Sequence, residues 1–319
     1  MRPPTVAAVV PNWNGARWLG PCLASLRAQQ RAFDELIVVD NGSTDGSADD
    51  LGDDVRVLRL GHNRGFAAAA NAGLRATAAE WVALVNSDVE LEPGWLAAML
   101  EAGAPDDVAS VAGKMVSLAD PSVLDDAGDF LRRDGVCEQR GRGRRDDGRW
   151  DEPGEVFSAC AGAALLRRGT ALAVGGFDER FFSYLEDVDL GLRLRLAGFR
   201  CAYAPVAVAR HAGGGSSHQL ERPVGAWVAR NTLLLVTKAY PLRWAVPVLY
   251  RQLAWLAAAA RAGVLREHLR GLAAAGPLLG RMWGERDAVR RASIVPIGRV
   301  IDNRPWHGPR AGGHRDAGF

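Results

Sequence analysis

Residues 35–47 read Glu35-Leu36-Ile37-Val38-Val39-Asp40-Asn41-Gly42-Ser43-Thr44-Asp45-Gly46-Ser47. A short apolar run closed by a block of turn formers is the pattern of a buried strand, Glu35–Val39, whose carboxyl end opens into a polar loop. The same pattern occurs twice more. Upstream, Thr5–Val10 runs into Pro11-Asn12-Trp13-Asn14-Gly15; downstream, Trp81–Val85 runs into Asn86-Ser87-Asp88. Between them, Ala16–Gln30 places Trp18, Leu19, Cys22, Leu23 and Leu26 at helical spacing. Val55–Leu60 reads as another strand and the alanine-rich Gly65–Thr77 as another helix. Strand and helix in alternation predict an α/β fold: a mostly parallel central sheet with helices on both faces. Such sheets bind ligands beyond the carboxyl ends of their strands. The three polar clusters fall at those ends and converge on one rim.

Further along, Val108–Ser117, Pro153–Leu166 and Arg200–Ala209 read as strands, the last ending at Arg210-His211. Helices are expected from Arg167 to Val174 and from Glu186 to Ala197. Arg132–Trp150, dense in Arg, Asp and Gly, reads as a flexible loop near the site. From Val224 the chain turns helical, apolar and rich in Trp and Ala, over Val224–Ala239, Leu242–Leu265 and Leu269–Met282. These features divide the chain into an α/β domain (1–240), a basic apolar helical extension (241–298) and a disordered tail (299–319).

At 319 residues with 48% hydrophobic and 24% charged side chains, the chain can bury a sizeable core. Its charge is lopsided: residues 1–199 hold 21 basic against 31 acidic side chains, and residues 200–319 hold 18 against 6. An acidic first part suits a metal site and a basic last part an anionic surface. Cys22, Cys137, Cys160 and Cys201 form no CxxC pair, which argues against a zinc knuckle or thioredoxin motif and fits a reducing compartment. The start, Met1-Arg2-Pro3-Pro4, lacks the apolar stretch of a signal peptide, and no run of about 20 apolar residues is present. A cytoplasmic location is expected.

Several residues are placed to carry chemistry. Asn86-Ser87-Asp88-Val89-Glu90 sets oxygen donors at a strand end, suited to Mg²⁺ or Mn²⁺ bridging to a diphosphate; read alone, it also fits ordinary turn chemistry. Asp40 can hydrogen-bond a base or ribose, or simply close its turn. Glu186-Asp187, opening a helix after Phe181-Phe182-Ser183-Tyr184, can act as a general base or only as partners of the helix dipole. Asp189 is a helper or a solvated residue. His211 stands before a glycine run, Gly213-Gly214-Gly215, which lets backbone approach a phosphate; His218 has no such support and is read as surface. Arg64 precedes a helix, where Arg and the helix N-terminus both favour phosphate.

Taken in order, these segments resemble a family 2 glycosyltransferase of the rhamnosyltransferase-like, inverting kind. Val9–Gly15 resembles the first nucleotide-binding segment, Ile37–Ser47 the most characteristic motif, Asn63–Asn71 the next helix start and Leu84–Asp88 the metal-binding segment. Gly175-Gly176-Phe177-Asp178-Glu179, leading to Glu186–Leu190, is similar to the region of the catalytic base. The likeness covers roughly residues 5–240. It implies a GT-A fold, a divalent cation and inversion at the anomeric carbon. It also implies nucleotide contacts from Pro11, Asn12, Asn14, Asp40, Asn41, Arg64 and Asn86, metal ligation by Asp88 with His211, and Asp187 as base supported by Glu186. The donor is then a nucleotide-diphosphate sugar, dTDP-rhamnose or a UDP-sugar, and the acceptor a glycan or lipid-linked hydroxyl of a cell-envelope polysaccharide pathway. One position departs from the pattern: Asn86 stands where the family's metal motif often begins with Asp. Asn adds no charge there, so the metal register stays open between Asp88 alone and Asp88 with Glu90.

In the extension, Trp244, Val246, Leu249, Tyr250, Leu253, Trp255 and Leu256 alternate with Arg243, Arg251, Arg261 and Arg266. Arg251 interrupts what would otherwise span a membrane, and a basic helix with Trp and Leu reads as interfacial. Packing on the catalytic domain or on a second subunit is the other reading. The expected partners are thus donor, acceptor and the inner face of a membrane; homo-oligomers stay open, and nucleic acid is not expected because aromatics do not interleave with the basic residues. Two other function classes fit a strand-end acidic rim. A nucleotidyltransferase would carry a Gly-rich, Lys- or Arg-bearing loop where Pro11–Gly15 stands. A non-catalytic sugar-nucleotide or glycan binder would not need both Asp88 and Glu186-Asp187.

Overall fold

The computed structural model describes residues 3–214 and 223–301. Its first half follows the alternation read from the sequence. Strands β1 (Val6–Asn12), β2 (Glu35–Asp40), β3 (Val55–Arg59) and β4 (Trp81–Val85) alternate with helices α1 (Leu19–Arg27) and α2 (Phe66–Ala76). They pair in parallel in the order β3-β2-β1-β4. The order reverses beside β1, so the carboxyl ends of β1 and β4 border the switch point where ligands of such sheets bind.

Beyond β4 the sheet becomes mixed. After β5 (Val89–Leu91), α3 (Trp95–Ala102) and the long β6 (Val108–Ser117) come β7 (Leu124–Asp126), β8 (Asp129–Leu131), β9 (Cys137–Gln139), β10 (Gly154–Val156) and β11 (Ala163–Arg167). Helices α4 (Arg168–Ala173) and α5 (Glu186–Leu196) lead to β12 (Arg200–His211). β11 lies antiparallel between β4 and β6, and β12 runs parallel to β6. A register shift between Ala204 and Val208 divides β12: its first half pairs with β10 and its last residues pair antiparallel with β5.

The central strands β1, β4 and β11 are apolar and buried almost throughout because both faces of the sheet are covered there. Side chains of β1 alternate between the faces. Val6, Ala8 and Val10 pack with Leu19, Leu23 and Leu26 of α1 and Trp95 and Met99 of α3. Val9 packs with Ala70 and Leu74 of α2 and Leu190 and Leu194 of α5. The far side of α5 (Val188, Leu192, Leu196) then joins a third core with the C-terminal helices. Charge also favours α5, with Glu186, Asp187 and Asp189 in its first turn and Arg193 and Arg195 in its last.

Four helices end the described chain: α6 (Val224–Ala239), α7 (Ala245–Arg261), α8 (Leu265–Ala292) and α9 (Ile297–Val300). Leu234 and Leu235 of α6 share the third core with Ala275 and Met282 of α8. The two helices approach closely where Gly271 meets Ala226: a Cβ on Gly271 would lie 2.3 Å from the Ala226 carbonyl oxygen. No described helix is long and apolar enough to cross a membrane.

Four expectations need correction. Arg132–Trp150 is not a free loop. It holds β9, paired with β8, and a bridge from Arg145 to Val123; Lys114 Nζ binds Asp146 at 2.8 Å and also contacts Asp151. Its charges cross-link it, which composition cannot reveal. The segment read as Leu269–Met282 is part of one 28-residue helix whose polar ends hide its periodicity. Residues 299–301 close α9, with Ile301 buried, rather than opening a tail; residues 302–319, Gly215 and His218 lie outside the described residues. Arg251 does not meet an interface from outside: it is buried against Asp134, at 2.6 Å.

Gly73 sets the distance between α2 and the sheet, since a Cβ there would lie 2.2 Å from Val9 Cγ1. Replacing it by Val forces the helix off β1. The expected cost is about 1–3 kcal/mol, seen as a lower Tm in thermal unfolding followed by circular dichroism.

Candidate active site

The polar loops after β1 and β2 are knitted together by their own side chains. Asn12 Nδ2 donates to Ser47 Oγ (2.8 Å) and Ser43 Oγ (3.3 Å), and the Asn12 carbonyl accepts from the Asn41 backbone N–H. Asn14, at φ 49°, accepts the Thr44 N–H on Oδ1 and donates its own N–H to Ser43 Oγ. Asp40 accepts the Ser43 N–H (2.9 Å) and pairs with Arg59 (3.3 Å). Asn41 donates to Asn63 Oδ1 and the Gly65 carbonyl and accepts the Arg64 N–H. Pro11, Asn12, Asn14, Asp40, Asn41 and the Arg64 backbone thus form one rim. The Arg64 side chain stands half-exposed above it, 3.6 Å from Glu179. Asn12 Oδ1 is buried without a partner among the described residues, facing the space that Gly15 leaves open beside Ser87.

At the β4 end, the Asn86 N–H donates to the Gly162 carbonyl (2.8 Å), and its side-chain Oδ1 is likewise buried and unpartnered. Three strand pairings then line up three side chains. His211 ends β12 opposite Val89 of β5, which puts its Nε2 3.4 Å from Asp88 Oδ2. On the other side β12 runs beside β6, and β6 beside β7, which brings Asp125 Oδ2 to 2.6 Å from His211 Nδ1. Burial would lower the His211 pKa, but the hydrogen bonds and charges of Asp125 and Asp88 outweigh it and push it up to about 10. Two carboxylates that hold a proton on this imidazole would equally attract a divalent cation in its place. An imidazole fixed through Nδ1 by a carboxylate is also the usual support of a metal-ligating histidine. Asp88 and His211 therefore fit a cation site to which the protein gives two donors. Among the described residues no group of three or more His, Cys, Asp and Glu side chains suits a metal ion. Mg²⁺-type ions keep water and substrate phosphates as their other ligands. Glu90 lies one pair further along the ladder, opposite Arg210.

Glu186 and Asp187 open α5 on a turn with three non-glycine residues at positive φ: Phe182 (65°), Tyr184 (72°) and Leu185 (64°). Each costs on the order of 1–3 kcal/mol. The turn is held from α6, where the fully buried Asn231 donates to the carbonyls of Phe181, Ser183 and Tyr184 at 2.7–2.9 Å. Arg230 donates to the carbonyl of Arg180 (2.9 Å), and Phe182 stacks on Trp227. On the other side Gly65, at φ 87°, lets α2 meet the turn, because a Cβ there would lie 2.5 Å from the Phe182 carbonyl oxygen. The two carboxyls so presented differ. Asp187 is half-buried and accepts N–H bonds from Ala161 (3.0 Å) and Val188 (2.8 Å). Glu186 is buried, with Oε2 unpartnered among the described residues; burial and the Asp187 charge raise its pKa well above the usual carboxylate range. Asp189, read as a helper, is buried in a structural pair with Arg193 and Lys238.

Three acidic residues escaped sequence reading: Asp125, Asp126 and Asp129. Asp126 and Asp129 are buried close enough to Asp187 for its charge to act on both. Burial, with Asp125 and Asp187, pushes Asp126 up to about 8; burial, with Asp126 and Asp187, raises Asp129 well above the usual range. Asp129 accepts from Ser158 Oγ, and Asp126 Oδ1 has no partner among the described residues. The signal was Asp125-Asp126-Ala127-Gly128-Asp129, three carboxylates in five residues, on strands too short to show periodicity.

Residues 7–171 match the model of "Glycosyl transferase family 2". The chain belongs to that family. It is 35% identical over 241 residues to the pre-mycofactocin glycosyltransferase of Mycobacterium tuberculosis, covering 72% of this chain and 47% of that protein. It is 31% identical over 259 residues to the N-acetylglucosaminyl-diphospho-decaprenol L-rhamnosyltransferase of the same organism, covering 70% and 82%. The chain thus spans about half the length (47%) of the first relative. Among solved structures, GalNAc-T7 with UDP, GalNAc and Mn²⁺ superposes with a TM-score of 0.59 at 14% identity, covering 74% of this chain and 48% of that one. The Pyrobaculum calidifontis mannosyltransferase PcManGT with GDP-Man and Mn²⁺ gives 0.51 at 21%, covering 91% and 85%. The fold of this family 2 chain is GT-A.

Asp126 carries a sign-definite prediction. Its unfolded carboxyl ionises near pH 4, whereas the native one keeps its proton up to about 8. The unfolded state therefore binds fewer protons between those values, and Asp126 lowers stability as pH rises through the window. Asp126→Asn removes that dependence. Its Tm should gain on wild type steadily between about pH 5 and about pH 8; parallel curves would refute the assignment.

Proposed function

We propose that this chain transfers a sugar from a nucleotide-diphosphate sugar to a hydroxyl of a glycan or lipid-linked acceptor, by a single inverting displacement. The observation that carries the proposal is the short tie between the two halves of the site. Asp187 accepts the Ala161 N–H, and the next residue, Gly162, accepts the Asn86 N–H. A carboxylate placed to take a proton is thereby fixed relative to the strand end that receives a diphosphate.

The roles follow from environment. Glu186 and Asp129, both raised well above the usual range, hold their protons, while Asp187 has two N–H donors and partial exposure, so the negative charge rests on Asp187. Burial raises its pKa too, which makes it a stronger base than a free aspartate. Asp187 takes the proton from the acceptor hydroxyl as that oxygen attacks the anomeric carbon. Asn12, Asn14, Asp40 and Asn41 with Pro11 form the nucleoside side of the rim, and Arg64 and Asn86 face the diphosphate. Asp88 and His211 would hold Mn²⁺ or Mg²⁺, which when bound offsets the charge gathering on the departing diphosphate. The catalytic work falls to residues 1–240. A deoxy-sugar donor such as dTDP-rhamnose is favoured over a UDP-sugar because the second mycobacterial relative is an L-rhamnosyltransferase.

The test is nucleotide release from a panel of UDP-, dTDP- and GDP-sugars, with Mn²⁺ or EDTA. Release is expected from one donor, to stop with EDTA, and to fall by about 10²–10⁴ in Asp187→Asn with donor binding retained. In wild type kcat/KM should fall as pH drops through a pKa above the ordinary aspartate range, because protonated Asp187 cannot act as base. Failure of every donor to bind in the presence of metal would overturn the reading. Separately, Asp88→Asn and His211→Asn should each weaken Mn²⁺ binding, read by the free-ion signal in electron paramagnetic resonance.

A further inference from the structure

Helix α7 is inverted. In a water-soluble helix the apolar stripe faces the core and the charges face solvent. Here Arg251 and Gln252 are buried, whereas Val246, Leu249, Tyr250 and Leu253 are 78%, 61%, 66% and 57% exposed. Their spacing of three, one and three places them on one helical face. Leu242, 65% exposed, extends the row by a turn, and Leu269 and Trp283 of α8 add further exposed apolar surface. Singly exposed apolar residues need no explanation, but a continuous row marks a contact surface.

Charge decides what the surface meets. Residues 241–284 contain six arginines and a single acid, Glu267. Arg251 is turned inward; Arg243, Arg261, Arg266, Arg270 and Arg281 are exposed. A second copy of the chain would bring like charges together around the same row. An apolar row flanked by cations instead matches the boundary of an anionic bilayer, where side chains enter the acyl region and guanidinium groups reach the headgroups.

The inward face fixes how that surface sits relative to the site. Arg251 Nη2 and Nε hold Asp134 Oδ2 at 2.6 and 3.0 Å, in the turn that joins β8 to β9. Tyr240 Oη donates to the Arg132 carbonyl in the same turn. The other end of that hairpin carries Asp129, in the carboxyl cluster beside Asp187. One rigid hairpin therefore links the row to the neighbourhood of the base.

We infer that the outward face of α7, formed by Val246, Leu249, Tyr250 and Leu253 and flanked by exposed arginines, rests on an anionic phospholipid bilayer and sets the catalytic rim against that surface. It assigns the bilayer contact to one face rather than to the whole extension, and rests on the proposed transfer reaction only for its purpose, to bring a lipid-linked acceptor to Asp187. Arg251 acts as a strut within the protein, not as a lipid contact.

Flotation of the full chain with phosphatidylcholine vesicles, with and without phosphatidylglycerol, tests this. Binding to the anionic vesicles is expected, weakened by salt, with little binding to phosphatidylcholine alone. Replacing Val246, Leu249, Tyr250 and Leu253 together by Ser should reduce vesicle binding by at least about tenfold, with circular dichroism unchanged because these side chains support no core. Arg261→Gln with Arg266→Gln and Arg270→Gln should remove much of the salt dependence. Equal vesicle binding by wild type and the four-serine variant overturns the inference. So does absence of binding by wild type, or sedimentation showing a wild-type dimer that the serine variant abolishes. Donor binding, measured on the same preparations, separates this outcome from failure of the transferase reading: the serine variant should bind nucleotide sugar as wild type does.

Discussion

The strained turn before α5 is the constraint on which the site depends. Phe182, Tyr184 and Leu185 occupy backbone conformations that L residues rarely adopt. Without compensation the turn would relax and carry Glu186 and Asp187 with it. The compensation is Asn231, whose amide NH2 shares its two donors among three turn carbonyls from within α6. Arg230 adds a fourth carbonyl and Trp227 a stacked ring. Lys238, on the same helix, reaches Asp178 and Asp189 on either side of the turn. A helix well outside the parallel half of the sheet thus governs where Glu186 and Asp187 stand. α8 in turn holds α6, and so the C-terminal helices belong to the mechanics of the site as well as to the surface.

A second constraint is electrostatic. Asp126, Asp129, Glu186 and Asp187 gather in one buried neighbourhood, and four like charges there would repel strongly. The environment divides them. Protons stay on the groups with few donors, and charge settles where backbone N–H groups and partial exposure support it. Asp125, whose charge acts on Asp126, is itself bonded to His211, which holds its carboxyl below the usual range against the effect of burial. Two acidic centres result, one suited to accept a proton and one suited to hold a cation, with Arg142 standing 3.9 Å from Asp125.

Much of this was legible in the sequence wherever one short segment carried the whole signal. The polar ends of β1, β2 and β4 were visible because each apolar run stops abruptly in turn formers, and parallel strands buried on both faces leave no other pattern. The convergence of Asn12, Asn14, Asp40 and Asn41 followed from strand alternation alone. Asp125, Asp126 and Asp129 were missed because they sit on three-residue strands, where period cannot be measured. Arg132–Trp150 was misread because composition reports polarity but not which charges pair. Arg251 was misread for the related reason that a charge in an apolar helix is normally outside, and only a partner such as Asp134 brings it in.

By itself the sequence determined the alternation of elements, the rim of polar strand ends and the opposed charges of the two halves, because these depend on local periodicity, local turn chemistry and residue counts; its motifs, taken in order, carried the family resemblance. Only the tertiary structure decided that β11 enters the sheet antiparallel, that Asp88, His211 and Asp125 align, that Glu186 is buried while Asp187 accepts two backbone N–H bonds, and that α7 turns its apolar row outward. Each of those depends on which residues distant in the chain come to lie side by side, and on the burial and pairing that result.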